Sequence, residues 1–256
     1  MISVDLQGRL GNHLFQYAAC RAIAETRNLN WYIPKDFLGS SIFDCDLGQS
    51  VLHYDSVFDE AEITQVLGYL PEAKTVKDGT KLRGFFQTHK YWEHMIQDVT
   101  SWFQFKHKFL ELHTLLELDK KVCLIHFRGT DYSQTSWQLP QSYYLNAIEH
   151  VSKIHGTDIE FLVVTDDVAR AKTRFPLFPI INYDIEKDLW LLSNARYLIL
   201  SNSSFSYWAG FLNNRAELII APKYWLWNNS NDAWLPADIE TARFTFIPPT
   251  SIEDSL

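Results

Sequence analysis

Cysteine is scarce in this chain: three residues, Cys20, Cys45 and Cys123, stand far apart and are odd in number among 256 positions. That excludes both a disulfide scaffold and a zinc knuckle, and a reducing compartment is expected. The nine histidines show no HExxH or other close ligand spacing, so no structural metal is expected. Nowhere do about 18 apolar residues run without interruption, which excludes a spanning helix and leaves a peripheral membrane contact open. The opening MISVDLQGRLGN lacks a basic segment followed by an apolar run, so no signal peptide is expected and a cytoplasmic location is. Sequons at Asn202 and Asn228 have no meaning without secretion. Dense basic clusters are missing too. Lys plus Arg number 23 against 31 Asp plus Glu, a net charge of −8, which argues against nucleic acid as a partner. A local anion remains compatible with this balance, because one arginine and a helix N-terminus suffice to hold a phosphate. The P-loop GxxxxGK[ST], the nucleophile elbow GxSxG and the dinucleotide fingerprint GxGxxG are all absent, as are internal repeats and low-complexity segments.

What is present is a large apolar inventory: 46% hydrophobic residues, with nine Trp, twelve Tyr and seventeen Phe. Such a chain is not disordered. At roughly 150 residues per domain it makes one large domain or two compact ones.

The pattern along the chain is α/β. Residues 1–5 form a short strand candidate, QGRLGN a glycine turn, 13–28 a helix with a largely apolar face, and 30–33 another strand. Residues 36–80 are mixed, with short apolar pieces SVLHY and QVLGYL. LRGFF (82–86) then reads as a strand and 89–105 as a helix with aromatic anchors. The second half is more regular. VCLIHF (122–127), IEFLVVTDD (159–167), a piece near 178–182, RYLILS (196–201) and ELIIAP (217–222) are strand candidates, several of them the continuous apolar runs of buried parallel strands. Helices are expected at 141–156, led by Pro140 and stopped by Gly156, at 186–195 and at 206–214. The tail, 223–256, has little secondary-structure signal. Two α/β domains are expected, 1–115 and 116–256, with the tail as a segment able to pack back on the first.

In open parallel sheets, ligands gather beyond the C-terminal ends of the strands. Four polar segments fall there: GRLGN (8–12), HFRGTDY (126–132), TDD (165–167) and SNSSFS (201–206). Gly8 and Gly11, flanking Arg9, permit a tight turn or close approach to a phosphate or sugar, with Asn12 entering the helix. Arg128 follows a buried strand, where an unpaired guanidinium is costly, so it pairs with a carboxylate or receives an anion. His126 is a candidate base, or a residue that orients Arg128. Asp166 and Asp167 point opposite ways on a strand, so one serves a ligand while the other caps the next helix. Ser203, Ser204 and Ser206 make either a plain N-cap or an anion nest. Together these favour a nucleotide diphosphate, and a nucleotide-sugar enzyme leads.

The same segments carry a resemblance. GRLGNHLFQYAACRAIA is similar to G-x-GNQ-[ML]-FQYA, LRGFFQTHKYW to L-x-G-[YF]-FQ-S-x-[KR]-[YF], IHFRGTDY to H-[IV]-RRGDY, and FLVVTDD to F-x-[VI]-FSDD. LPQSYYLNAI follows at the expected distance, and LWLLSNARYLILSNSSFSYWAGFLN and APKYW complete the order over residues 7–225. The chain resembles the alpha-1,2-fucosyltransferases of glycosyltransferase family 11, within the GT-B fucosyltransferase group. The resemblance implies two Rossmann-like domains with parallel sheets facing across a cleft, GDP-fucose bound mainly to the C-terminal domain, and inverting transfer to a galactose-containing glycan. No metal and no other cofactor are implied. It gives Arg128 the departing diphosphate, Ser203, Ser204 and Phe205 the phosphate nest, and Asp166 or Asp167 the guanine or ribose. Gly8, Arg9, Gly11 and Asn12 would border the phosphates and donor sugar. His126 and Asp131 would shape the reacting centre, Asp131 being the favoured base.

Two departures stand out. Gly129 and Thr130 occupy the positions of the second Arg and the Gly in RRGDY, and His13 replaces the usual Gln. The missing cation points to a weakened or altered donor pocket. The rivals are a GT-B transferase with another nucleotide sugar and a non-catalytic nucleotide-sugar or glycan binder. Oligomeric state is not legible.

Overall fold

The computed structural model describes residues 1–49, 53–63, 68–114, 121–132, 135, 137–228, 233–235 and 238–248. The chain divides into two compact units, Met1–Lys106 with Asn228–Ile239, and His107–Trp227 with Glu240–Leu256.

The first unit contains β1 (Ile2–Asp5), α1 (Leu10–Thr26), β2 (Trp31–Tyr32), β3 (Ser56–Asp59), α2 (Glu60–Ile63), β4 (Thr80–Arg83) and α3 (Ile96–Trp102). Its four strands are all parallel, in the order β2-β1-β4-β3. The helix α1 starts at Leu10, three residues before the expected His13, so Gly11 and Asn12 are first-turn residues. It is buried nearly all round, His13 and Gln16 included, as a helix without a polar face must be. Tyr17 lies at its centre among the rings of Trp31, Phe37, Trp102 and Phe103.

The strand expected at 82–86 stops at Arg83, because Gly84 (φ 149°) and Phe86 (φ 51°) leave extended geometry. The buried Glu60 holds this bend: its Oε2 accepts the N–H groups of Phe85 (2.7 Å) and Phe86 (3.2 Å). The helix expected at 89–105 is broken into single turns at His89–Tyr91 and Glu93–Met95, followed by the short α3. Adjacent aromatics at 91–92 and 102–103 are all buried, which one face of a continuous helix cannot achieve. Residues 50–52 of SVLHY and 65–67 of QVLGYL lie outside the described residues. Part of the tail belongs to this unit. There Asp238 accepts the Tyr69 N–H (3.0 Å), pairs with Lys90, and receives the Thr88 hydroxyl on its carbonyl (2.8 Å).

The second unit contains β5 (Val122–Phe127), α4 (Gln141–His155), β6 (Glu160–Thr165), α5 (Val168–Arg174), β7 (Ile180–Ile181), α6 (Ile185–Leu192), β8 (Tyr197–Ile199), α7 (Ser204–Leu212) and β9 (Leu218–Pro222). The tail adds short strands where the sequence pattern is weak: β10 (Leu226–Asn228) at the change from this unit to the first, β11 (Ala233–Leu235) in the first, and β12 (Thr245–Ile247) in this one. A six-stranded, all-parallel sheet runs β12-β9-β8-β5-β6-β7. β5 sits at its middle with Cys123 to Phe127 buried, which explains the uninterrupted apolar run. α7 opens at Ser204, two residues before the expected start, because Ser203 rather than a later serine caps it. From β5 the chain winds outward through β6 and β7, then returns to the other side of β5 as β8. The order therefore reverses between β5 and β8.

Candidate active site

A reversal of strand order leaves a crevice at the C-terminal ends of the two flanking strands. In the second unit those ends carry His126–Asp131 after β5 and Ser201–Phe205 after β8. His126 joins the two. It is buried, and its Nδ1 bonds the hydroxyls of Ser201 (2.9 Å) and Ser206, while its ring lies 5.3 Å from that of Phe205. Ser206 in turn accepts the Ser201 N–H (3.0 Å), and Ser203 accepts the Ser206 N–H (3.1 Å) as the cap of α7. Burial, aided by the Arg128 charge and opposed by Asp166, pushes the imidazole pKa well down. A neutral His126 with its Nδ1 committed to hydroxyls orients the site and is poorly suited to accept a proton.

Arg128 is mostly buried, its side chain 14% exposed. Its guanidinium forks between two carboxylates, with Nη2 on Asp131 (2.8 Å) and Nη1 on Asp166, and lies 5.8 Å over the Tyr132 ring. Asp166 is heavily engaged: Oδ1 accepts the N–H groups of Gly129 (2.8 Å) and Thr130 (3.4 Å), and Oδ2 the Thr130 hydroxyl (2.8 Å). Burial alone would raise this carboxyl. The Gly129 N–H, the Arg128 charge and the Thr130 hydroxyl outweigh it and hold the pKa below the usual range. Both aspartates lie just past the end of β6, not within the strand as expected, and Asp167 is the residue that opens the next helix. It caps α5 by accepting the Arg170 N–H (3.1 Å) and pairs with the Arg170 side chain (3.2 Å). The structure thus brings Asp166 to Arg128 and leaves Asp167 as a helix cap.

Ser204 and Phe205 are the first residues of α7 and are partly exposed. The first-turn N–H groups of a helix lack intrahelical acceptors and point out along the axis. Just before them, the buried Asn202 clamps the loop by donating to the carbonyls of Trp137 (2.7 Å) and Trp225 (2.6 Å). This explains the asparagine without glycosylation.

Asp188 on α6 carries no motif in the sequence. It is 8% exposed, and its Oδ1 accepts the Tyr183 N–H at 3.3 Å. Burial, with the charges of Asp184 and Asp166 adding to it, raises its pKa to about 7. Asp166 is thus close enough to be felt. Nearby, Asn182 donates to the Thr165 carbonyl (2.6 Å), tying the end of β7 to that of β6. The available signal was an acidic residue on the buried side of an apolar helix, DLWLL.

The first unit has its own reversal, between β1 and β4. Gly8 takes a positive φ (+78°), a conformation that L side chains rarely adopt, and lies against the Asn12 side-chain amide. Asn12 accepts the Gln87 side-chain N–H (2.7 Å), and Gln16 accepts the Gln7 N–H (3.0 Å) while donating to the Gly84 carbonyl (2.9 Å). Asn12 therefore meets Gln87 at this edge, Gly11 lies in the first turn of α1, and the exposed Arg9 takes its N-cap position. Gln87 and Glu60 are also residues that pattern reading did not single out. Among the described residues, no group of three or more His, Cys, Asp or Glu is arranged to hold a metal ion, and no helix is long and apolar enough to cross a membrane.

The model of glycosyl transferase family 11 matches residues 79–236. Two Escherichia coli proteins are similar along most of their length. The O-antigen biosynthesis glycosyltransferase WbnK is 26% identical over 297 aligned residues, covering 90% of this chain and 98% of its own. An alpha-1,2-colitosyltransferase is 25% identical over 271, covering 88% and 92%. Among solved structures, the alpha-1,6-fucosyltransferase NodZ of Bradyrhizobium, soaked with GDP-fucose, matches with a TM-score of 0.54 at 13% identity, covering 91% of this chain and 96% of its own. That likeness is one of fold: two parallel-sheet α/β units of the GT-B type.

Proposed function

The chain belongs to glycosyl transferase family 11, and on that premise we propose that it transfers L-fucose from GDP-beta-L-fucose to a hydroxyl of a galactose-containing glycan, forming an alpha-1,2 linkage. The observation that carries this reading is that a mostly buried arginine and a helix N-terminus follow the two neighbouring strands between which the six-stranded sheet reverses its order. A pyrophosphate seated there faces both a guanidinium fork and aligned backbone dipoles. The donor is supported by the fold likeness to a fucosyltransferase soaked with GDP-fucose, and the linkage by the name of the colitosyltransferase relative. The O-antigen relative favours a bacterial surface glycan as acceptor.

In this reading the acceptor oxygen attacks the anomeric carbon from the face opposite the diphosphate. The bond from that carbon to the β-phosphate oxygen breaks, and GDP leaves with the electron pair. Arg128 and the N-terminus of α7 take up the charge developing on the phosphate. In the free protein Arg128 is neutralised by Asp131 and Asp166. Asp131, the more exposed of the two (43% against 27%), is the one a phosphate displaces from Nη2. Once released, its carboxylate accepts the proton of the acceptor hydroxyl. Asp166 and Asp167 are occupied by the protein itself, so the guanine edge, with its paired N–H donors, falls to Asp188. No metal takes part.

A second reading has a specific observation behind it. The alpha-1,2-colitosyltransferase relative makes a nucleotide-linked deoxyhexose other than fucose the alternative donor. The test is to offer GDP-fucose and GDP-colitose with galactose-terminated acceptors, with and without EDTA, and follow GDP release and product mass. A product heavier by one fucose residue at an undiminished rate in EDTA supports the first reading. Transfer of colitose alone replaces the donor. GDP release with no glycan product refutes the transferase assignment for this acceptor class.

A further inference from the structure

The turn that carries Arg128 has no slack. A Cβ built on Gly129 would collide with the Cβ of Asp167, an atom anchored to the backbone just beyond β6. The turn therefore lies flush against the end of the neighbouring strand, and the Asp166 carboxylate spans three consecutive residues. Oδ1 takes the Gly129 and Thr130 N–H groups, and Oδ2 takes the Thr130 hydroxyl together with Nη1 of Arg128. A carboxylate beside a guanidinium tends to rotate into a two-bonded fork that covers one edge of the cation. Here the Thr130 hydroxyl and the two N–H groups fix both oxygens, with Oδ2 set against Nη1 of Arg128. Nη2 is left to Asp131, the partner an incoming anion can replace.

We propose that Thr130 is a positioning residue for donor binding: its hydroxyl locks the Asp166 carboxylate so that Arg128 presents a guanidinium edge to the pyrophosphate. The inference rests on the reading that Arg128 receives that group, and it gives a function to the departure at Gly129–Thr130. With one cation instead of two at this turn, the aim of that cation is set by a hydroxyl. Thr130 is exposed, so the hydroxyl matters here rather than core packing.

The test compares the wild type with Thr130→Val, which keeps the shape and removes the hydroxyl, and Thr130→Ser, which restores it. GDP affinity is measured by titration calorimetry, donor KM and kcat by product formation, and folding by the thermal midpoint. Thr130→Val is expected to weaken GDP binding and raise donor KM about 5- to 10-fold, with kcat changed less and the midpoint held, while Thr130→Ser stays within about twofold of wild type. Unchanged GDP affinity in Thr130→Val overturns the inference. So does an equal loss in Thr130→Ser, because then the γ-methyl matters and the hydroxyl does not. A wild type that does not bind GDP overturns the donor reading itself, a separate failure visible before any variant is made.

Discussion

Asp188→Asn tests two consequences of one buried carboxyl that run in opposite directions with pH. Burial lifts Asp188 from its ordinary 3.8 to about 7, with Asp184 and Asp166 contributing. Because the folded pKa lies above the unfolded one, the stabilisation is full below about pH 4 and is lost as pH rises through 7. A change from 3.8 to about 7 corresponds to about 4 kcal/mol, an upper figure for what ionising this side chain costs the fold by pH 8. Asparagine keeps an oxygen for the Tyr183 N–H and never ionises, so the variant gains stability relative to wild type as pH increases. GDP binding changes the other way. The N–H donors of guanine need a carboxylate, so wild-type affinity should rise about tenfold between pH 6 and pH 8, and Asp188→Asn should bind weakly with little of that rise. Urea denaturation and GDP titration at pH 5, 6, 7 and 8 on both proteins provide the readout. The variant also subtracts the titration of GDP itself. Parallel pH profiles for the two proteins in both assays would refute the reasoning.

Other outcomes follow from the same contacts. Arg128→Lys keeps the charge but loses the fork, and kcat should fall about 10²-fold with the thermal midpoint nearly unchanged; a loss under threefold contradicts its role at the leaving group. Ser206→Ala removes the acceptor of the buried Ser201 N–H and a partner of His126, and should cost about 1–3 kcal/mol in urea denaturation. Glu60→Ala leaves the Phe85 and Phe86 N–H groups without their carboxylate and should cost a similar amount. Burial raises the Glu60 pKa against those N–H groups, so Glu60→Gln should gain on wild type as pH rises from 4 to 8, as urea midpoints would register.

Much of the second unit was legible in the sequence because its strands are buried on both faces. VCLIHF and FLVVT read as continuous apolar runs and became β5 and β6. Polar segments at the ends of such runs supplied the candidate residues, and the fold links His126 to Ser203 through Ser201 and Arg128 to Asp166. The first unit was harder to read. LRGFF has strand composition, yet the bend at Gly84–Phe86 is set by Glu60, 24 residues before Gly84, which no local window contains. The broken helix at 89–102 follows from burying adjacent aromatics, a demand made by tertiary packing. Asp166 and Asp167 are equivalent in the sequence and differ only once the fold makes Asp167 the cap of α5 and brings Asp166 to Arg128. Asp188 was hidden because its meaning lies in what surrounds it, and a helical pattern counts it as one polar position.

The central claim is that a nucleotide diphosphate sugar binds where the six-stranded sheet reverses its order. Hydrogen–deuterium exchange on the whole chain, with and without saturating GDP, tests it most directly. The account predicts slowed exchange at 128–131, 166–167 and 203–206, with the largest effect at the first turn of α7. Protection confined to other segments, or none while GDP is bound, would contradict it.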